Sequence, residues 1–403
     1  MATTRGAGFR LRDIAVAAYG PSAVSSIGYG AIMPVLALQA RALGADVSMA
    51  AFVVALWPLG MLATSLPAGA VVARLGERTT LLIAGLVDAV AMIGAYLATT
   101  VFQLGVCVAV SGAAWTAFLI ARQGFLIDAV PVYWRARAMS LLGGTFRVGV
   151  LVGPLIGALV IHRAGIGAVF LLSGATSVVA ALIALMMPDL GAESRTAQRR
   201  AGHASVRSVL GAHRRTLLTL GVAVIVIGAS RSLRASLLPL WADGVGISAS
   251  TTSLIFAAAA LIDVLFFFPG GWLMDRRGRA LVAVPVVLSV AVACFLLPLT
   301  ATAVGVTAVM VLIAVGNGLG SGIVMTIGAD TAPEVGRAQY LGGWRLCGDI
   351  GNSGGPLLVS AVAAVAPLAA ACLVLGVLGL LGTGWVGYWT RRLDRTRLAG
   401  EPG

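Results

Sequence analysis

Lysine is absent from this chain. All 28 basic side chains among its 403 residues are arginines, set against 15 acidic ones, and charged residues make up only 11% of the total. A soluble domain carries roughly 25% charged residues, so the deficit excludes a chain folded with its whole surface in water. Histidine and cysteine are also scarce, at 3 and 4. His162, His203 and His213 fall in loops, while Cys107, Cys294, Cys347 and Cys372 fall singly inside apolar runs. That spacing offers no zinc-type ligand set and no disulfide framework; buried thiols are expected. No acid cluster, Cys/His set or nucleophile–base arrangement stands out, so neither an enzyme nor a metal or cofactor is expected.

What is abundant is apolar sequence: 59% of residues are hydrophobic, with a mean hydropathy of +0.99. Twelve apolar stretches can be marked, near 13–40, 49–73, 80–100, 103–127, 138–161, 166–187, 216–242, 252–274, 280–299, 303–328, 338–364 and 367–389. Most can cross a hydrocarbon layer, which takes about 20 helical residues. The first is too long for a signal peptide and is read as the first span. The one long polar link, 188–215, holds Arg195, Arg199, Arg200, Arg207, Arg214 and Arg215. The expected organisation is a six-helix bundle over 1–187, a cytoplasmic linker over 188–215 that is a solvated tether, and a second bundle with a short tail over 216–403.

A net charge of +13 would suit a polyanionic partner if the arginines formed one face. Instead they alternate along the chain. Alternate loops and both tails hold 21 of the 28, and the opposite set holds only Arg41 and Arg163. This is the bias that keeps basic loops in the cytoplasm. It places both termini inside a cell (inner) membrane, and no nucleic-acid partner is expected.

The chain also repeats itself. Residues 269–279 read Pro-Gly-Gly-Trp-Leu-Met-Asp-Arg-Arg-Gly-Arg between two apolar runs. Pro67, Gly69, Arg74 and Gly76 match Pro269, Gly271, Arg276 and Gly278 at an offset of 202. Asp128 with Pro131 matches Asp330 with Pro333, and Gly153-Pro154 matches Gly355-Pro356, at the same offset. A repeat of half the chain length, running the same way in both copies, is the parallel arrangement found in one large transporter class.

With these motifs the chain resembles a twelve-helix member of the major facilitator superfamily, and within it the drug:proton antiporter branch. The loop signature G-x-x-x-D-R-x-G-R is met by Gly271, Asp275, Arg276, Gly278 and Arg279. The first copy keeps Gly69, Arg74 and Gly76 but has Ala73 and Glu77 at the acid and the final base. The fifth-helix antiporter signature is met by Gly149, Gly153, Pro154 and Gly157, with Ala158 where a second glycine is usual. The fourth-helix signature is only partly met, because Arg122 stands directly before Gln123-Gly124. The resemblance implies an all-α membrane protein of twelve transmembrane helices in two pseudo-symmetric six-helix bundles. It further implies a monomer that carries a small-molecule substrate, with proton coupling, across the lipid bilayer.

Charged side chains in hydrocarbon cost about 2.5–3.5 kcal/mol each even on lenient scales, so they face a cavity or pair. The buried set is Asp88, Arg122, Arg147, Arg231, Arg234, Asp263, Arg345 and Asp349. Asp263, Asp349 and Asp88 are the proton-coupling candidates, because a carboxyl is the group whose proton affinity responds to drying and to a nearby arginine. Arg231, Arg234, Arg147, Arg345, Arg122 and Asn317 are the substrate-cavity candidates. Three pairings are expected: Arg147 with Asp263 across the halves, Arg345 with Asp349 along one helix, and Asp128 and Asp330 with Arg74 and Arg276 at the gate. Trp57, Phe118, Trp241, Phe266, Phe267 and Phe268 either line a pocket or face lipid.

The first functional expectation is an exporter of a small organic molecule or drug by proton antiport. The second is a uniporter or proton symporter of an acidic metabolite, suggested by five buried arginines against three aspartates. A non-transporting receptor or membrane enzyme is the third.

Overall fold

The computed structural model describes residues 15–131, 134–188, 206–333 and 337–398. The arginines at 5, 10, 12, 195, 199 and 200, together with His203, lie outside the described residues, and with them most of the linker.

Among the described residues twelve helical spans follow one another. They are α1 (Ala15–Ile32, continuing as Leu36–Ala42), α2 (Val47–Leu75), α3 (Glu77–Leu97), α4 (Val101–Ala129), α5 (Arg135–Ala164) and α6 (Ala168–Leu185). The second set is α7 (Val222–Gly244), α8 (Ala249–Arg277), α9 (Ala280–Leu296), α10 (Ala303–Leu319, continuing as Ile323–Thr331), α11 (Arg337–Ala363) and α12 (Leu368–Leu398). Ten spans are long and apolar enough to cross a bilayer, and α1 joins them if its two pieces, bent by 45°, count as one. The exception, α11, has the length but carries Arg345, Asp349 and Asn352 in its middle. Its polarity follows from where it lies, against a cavity rather than in lipid.

The local rules are visible at the helix ends. Asp46, Thr100, Ser248 and Thr302 each accept a backbone N–H of the following first turn, which satisfies a donor no helix can satisfy itself. The two charged hairpins turn at Gly76 and Gly278, whose φ angles of 83° and 97° lie in the region only glycine adopts at little cost.

Packing repeats with the sequence. In the first half α1 lies against α5 and α6, α2 against α4, and α3 against α4 and α6; in the second, α7 lies against α11 and α12, α8 against α10, and α9 against α10 and α12. Every pair maps onto its counterpart by adding six. The halves meet through α2 with α11 and through α5 with α8, which are also mates under that operation. Glycines make the tightest contacts possible. A Cβ on Gly153 would overlap the Ile27 carbonyl oxygen of α1, and one on Gly351, the counterpart of Gly149, would overlap the Ile225 carbonyl oxygen of α7. Close backbone approach of this kind is what holds helices together where lipid removes the hydrophobic drive.

The two ends of the molecule differ. At the arginine-poor end one continuous core joins Leu36 and Val54 of the first half to Leu233, Leu237 and Val359 of the second. Ser48 of α2 donates to the Ser360 carbonyl of α11 at 2.8 Å, and Arg41 reaches Asp243 at 3.3 Å. These two residues are themselves 202 apart. At the arginine-rich end the cores stay separate, one around Leu81, Phe125 and Leu142, the other around Val282, Ile327 and Tyr340. The halves are thus closed on one side and parted on the other.

Candidate functional site

Between the halves lies a cavity of ≈ 340 Å³, walled by Tyr29, Trp57, Trp115 and Phe146 from the first half and by Arg231, Arg234, Asn317, Asp349 and Asn352 from the second. A second chamber of ≈ 260 Å³ adjoins it, sharing Phe146, Arg231, Arg234 and Asn317, and is walled further by Arg122, Gly143, Arg147, Asp263 and Ser321. The first half contributes mainly aromatic surface and the second half mainly charge. Such a division suits a substrate with an apolar body and a polar head.

Arg231 and Arg234 of α7 and Asp263 of α8 stand together beside the neutral Asn317 of α10. Arg234 donates from its terminal nitrogen to Asp263 at 2.9 Å, and the Asn317 amide donates to the other Asp263 oxygen at 3.0 Å. Arg234 and Asp263 stay partly open to the cavity, with side-chain exposures of 24% and 11%. The expected Arg147–Asp263 pair across the halves is therefore not formed. Asp263 is taken by Arg234 of α7, and Arg147 arrives one turn along α8, at Phe267. Arg147 crosses from α5 by another route, donating to Ser321 Oγ at 3.1 Å and lying 3.9 Å over the Phe267 ring.

Arg231 is held by backbone. It donates to the Gly320 carbonyl at 2.8 Å and to the Asn317 carbonyl at 3.5 Å, at the break in α10, where these oxygens also accept from the Ile323 N–H and the Ser321 hydroxyl. Its Nε is buried without a partner. Arg122 donates to Ser22 at 3.0 Å, sits 5.8 Å over Phe146, and likewise keeps a buried Nε without a partner. Asp349 lines the cavity beside Asn352. The ion pair expected along α11 between Arg345 and Asp349 is not among the salt bridges of the described residues; Arg345 sits within electrostatic range both of Asp349 and of Arg122 in the other half. Asp88 is apart from the cavity, accepting hydrogen bonds from Ser111 and Ser177.

At the charged hairpins the expected partners change. Asp330 accepts from Arg279 at 2.9 Å, while Arg276 stacks on Trp272 at 4.8 Å. Asp394 of α12 accepts from the backbone N–H groups of Arg279 and Ala280, capping the start of α9. In the first half the positions 202 earlier are Glu77 and Asp128, two acids where the second half has an acid and a base. Asp128 and Arg74 are exposed and form no ion pair among the described residues. Asp275 is exposed too. Gly69 and Gly271 have open space around them.

Of the aromatic candidates, Trp57 lines the cavity, Phe118 is buried against Trp115, and Trp241 donates to the Thr300 carbonyl. Phe268 is 77% exposed on the lipid side. Tyr29, Trp115, Phe146 and Asn352 are wall residues that sequence reasoning missed. For Tyr29 and Trp115 the available signal was their setting: large rings standing alone among small residues (Gly28 and Gly30; Gly112 and Ala114), whose glycines pack close and leave the ring to form the wall.

Comparison with known proteins agrees with this geometry. The family model described as Major Facilitator Superfamily matches residues 22–356 and 220–402. A relative from Bacillus subtilis (strain 168), described as an uncharacterized MFS-type transporter, YhjO, is 24% identical over 147 residues, which take in 36% of this chain and only 37% of that protein. Among solved structures, a POT family transporter in complex with a thioalcohol-conjugated peptide is similar with a TM-score of 0.78 at 13% identity, covering 95% of this chain and 96% of that one. The nucleoside transporter NupG gives 0.73 at 13%, over 93% and 98%, and a D-xylose–proton symporter gives 0.73 at 15%, over 94% and 98%. At such identities these likenesses concern the fold alone. The duplicated six-helix packing, the cavity between the halves and the family match over nearly the whole chain together make this protein a multi-pass membrane transporter of the major facilitator superfamily.

Proposed function

We propose that this transporter is proton-coupled and carries a small organic molecule with a carboxylate or similar anionic group, by rocking its halves about the central cavity. It works as a monomer in the cell (inner) membrane with both termini cytoplasmic, so that the parted, arginine-rich end faces the cytoplasm. The observation that carries this reading is the Arg234–Asp263–Asn317 cluster opening on the cavity.

With Asp263 ionised, Arg234 is neutralised, while Arg231 beside it is held by the Asn317 and Gly320 carbonyls. A proton on Asp263 removes the ion pair and frees the Arg234 fork for a substrate carboxylate, which it can grip with two parallel hydrogen bonds. A bound anion in turn draws Arg234 away, leaving the Asp263 carboxylate without its counter-charge unless a proton neutralises it. Each arrival favours the other, as thermodynamic linkage requires. That coupling fits proton symport. Arg147 and Arg122, which form no ion pair among the described residues, add positive potential along the entry chamber.

A second reading is export of a drug or other organic molecule in exchange for protons. Its support is the α5 glycine face, where Gly149, Gly153 and Gly157 lie against α1 and Pro154 lines the cavity. The two readings differ in the sign of proton movement. Purified protein in liposomes with an internal pH dye, offered anionic, zwitterionic, neutral and cationic compounds, separates them. Symport acidifies the lumen as an anionic or zwitterionic compound enters, exchange makes it alkaline, and no response to any compound contradicts proton coupling of either kind.

A further inference from the structure

One buried acid takes no part in the central cavity. Asp88 sits on α3 in the middle of the first half, and Ser111 of α4 and Ser177 of α6 each donate to one of its oxygens at 2.5 Å. No arginine reaches it; Arg122, at similar depth, is taken by Ser22 and Phe146. An ionised carboxylate held in hydrocarbon by hydroxyls alone remains without a compensating charge.

Beside it is a void of ≈ 20 Å³, walled by Ser25, Tyr29, Trp57, Asp88, Ser111, Trp115 and Ser173. That volume holds one water or one small ion. Ser25 and Ser173 are 5% and 4% exposed, and among the described residues their hydroxyls make no hydrogen bond. Gly28 lets Ser173 this close to α1, since a Cβ there would stand 2.8 Å from the Ser173 oxygen. Three serine hydroxyls and one carboxylate from α1, α3, α4 and α6 thus line a space of atomic size, and Ser177, outside that lining, holds the carboxylate by its second oxygen. A donor set made only of oxygen suits a hard cation. One carboxylate balances a single charge, whereas divalent ions draw more carboxylates and more ligands.

We propose that Asp88, Ser25, Ser111, Ser173 and Ser177 form a site for a small monovalent cation, sodium, in the first half of the transporter. Tyr29, Trp57 and Trp115 line both this void and the central cavity, and their rings stack with centroids 5.0–5.9 Å apart. An ion seated behind the stack presses on the wall that the substrate touches from the front. The site is separate from Asp263 and does not depend on the coupling proposed for that residue.

The test is the thermal unfolding midpoint and tryptophan fluorescence of the purified protein in sodium, potassium or choline chloride at equal ionic strength. Sodium, and neither of the others, raises the midpoint saturably, because a ligand that binds only the folded state stabilises it. Asp88→Asn abolishes the response. Ser25→Ala and Ser173→Ala each raise the half-saturating sodium concentration about three- to tenfold, the worth of one neutral oxygen ligand. Should Asp88→Asn fail to fold, the two serine variants carry the test. Equal midpoints in all three salts overturn the site, as does a sodium response that survives Asp88→Asn or is unmoved by both serine changes. Dependence on pH with none on sodium also overturns it, since the carboxyl then holds a proton instead.

Discussion

Arg234 and Asp263 face each other at 2.9 Å from neighbouring helices of the same half, so the central ion pair of this transporter can persist while the halves move. A pair spanning the halves has to break in each cycle. One contained in a single half breaks only when something competes for its members. That difference is what allows a proton or an anion to act as the trigger.

Removing one member should therefore be worse than removing both. Arg234→Gln leaves Asp263 bare and Asp263→Asn leaves Arg234 bare, each costing about 3–5 kcal/mol where the charge is buried, whereas the double variant loses no uncompensated charge. Thermal midpoints should place the double variant above both singles. A double variant that unfolds below both singles contradicts the pair as drawn.

Arg147 connects the halves by its fork on Ser321 and its face on Phe267. A ring contact of this kind is worth about 0.5–2 kcal/mol, so Phe267→Leu should shift the balance between the two open forms by about two- to thirtyfold. Arg147→Lys keeps the charge but loses the planar stacking, and should shift it in the same direction. Accessibility of single cysteines placed in the entry chamber reads the change.

Glycine substitutions offer an internal control. Gly153→Ala forces a methyl into the Ile27 carbonyl, and Gly351→Ala does the same at Ile225; overpacking of this sort costs about 1–3 kcal/mol, and backbone cannot step aside. Gly143 has open space around it, so Gly143→Ala should be neutral or stabilising by about 0.5–1 kcal/mol through helix propensity. Unfolding midpoints in detergent should rank the three accordingly.

The charged hairpins make a further prediction. Arg279 is 7% exposed and bound to Asp330, so Arg279→Gln should cost about 3–5 kcal/mol. In the first half Glu77→Arg should restore the missing partner for Asp128. At that more open position the gain is up to about 1 kcal/mol, read as a higher midpoint that disappears in Asp128→Asn.

Much of this architecture is legible from residue types alone. The 202-residue offset anticipates that α5 and α11 use the same glycines against α1 and α7, and hydropathy places the spans, because both depend on local pattern. Partner choice is not local. Arg147, Arg234 and Arg279 each had acids within plausible reach, and which one they take depends on helix rotation of a fraction of a turn. Asp330 was expected to bind Arg276, yet Arg279, three residues on, turns inward beyond Gly278 while Arg276 turns out to Trp272. The cavity's aromatic wall was missed because a ring facing a cavity and one facing lipid look alike in a hydrophobic run.

The central claim, that Asp263 carries the coupling proton through its hold on Arg234, is tested most directly by comparing two modes of transport in liposomes containing the Asp263→Asn variant. Once a substrate has been identified by the dye assay, this variant should still exchange labelled for unlabelled substrate across the membrane, but should no longer accumulate it in response to a pH gradient. Gradient-driven accumulation at the unaltered level in Asp263→Asn would contradict the account.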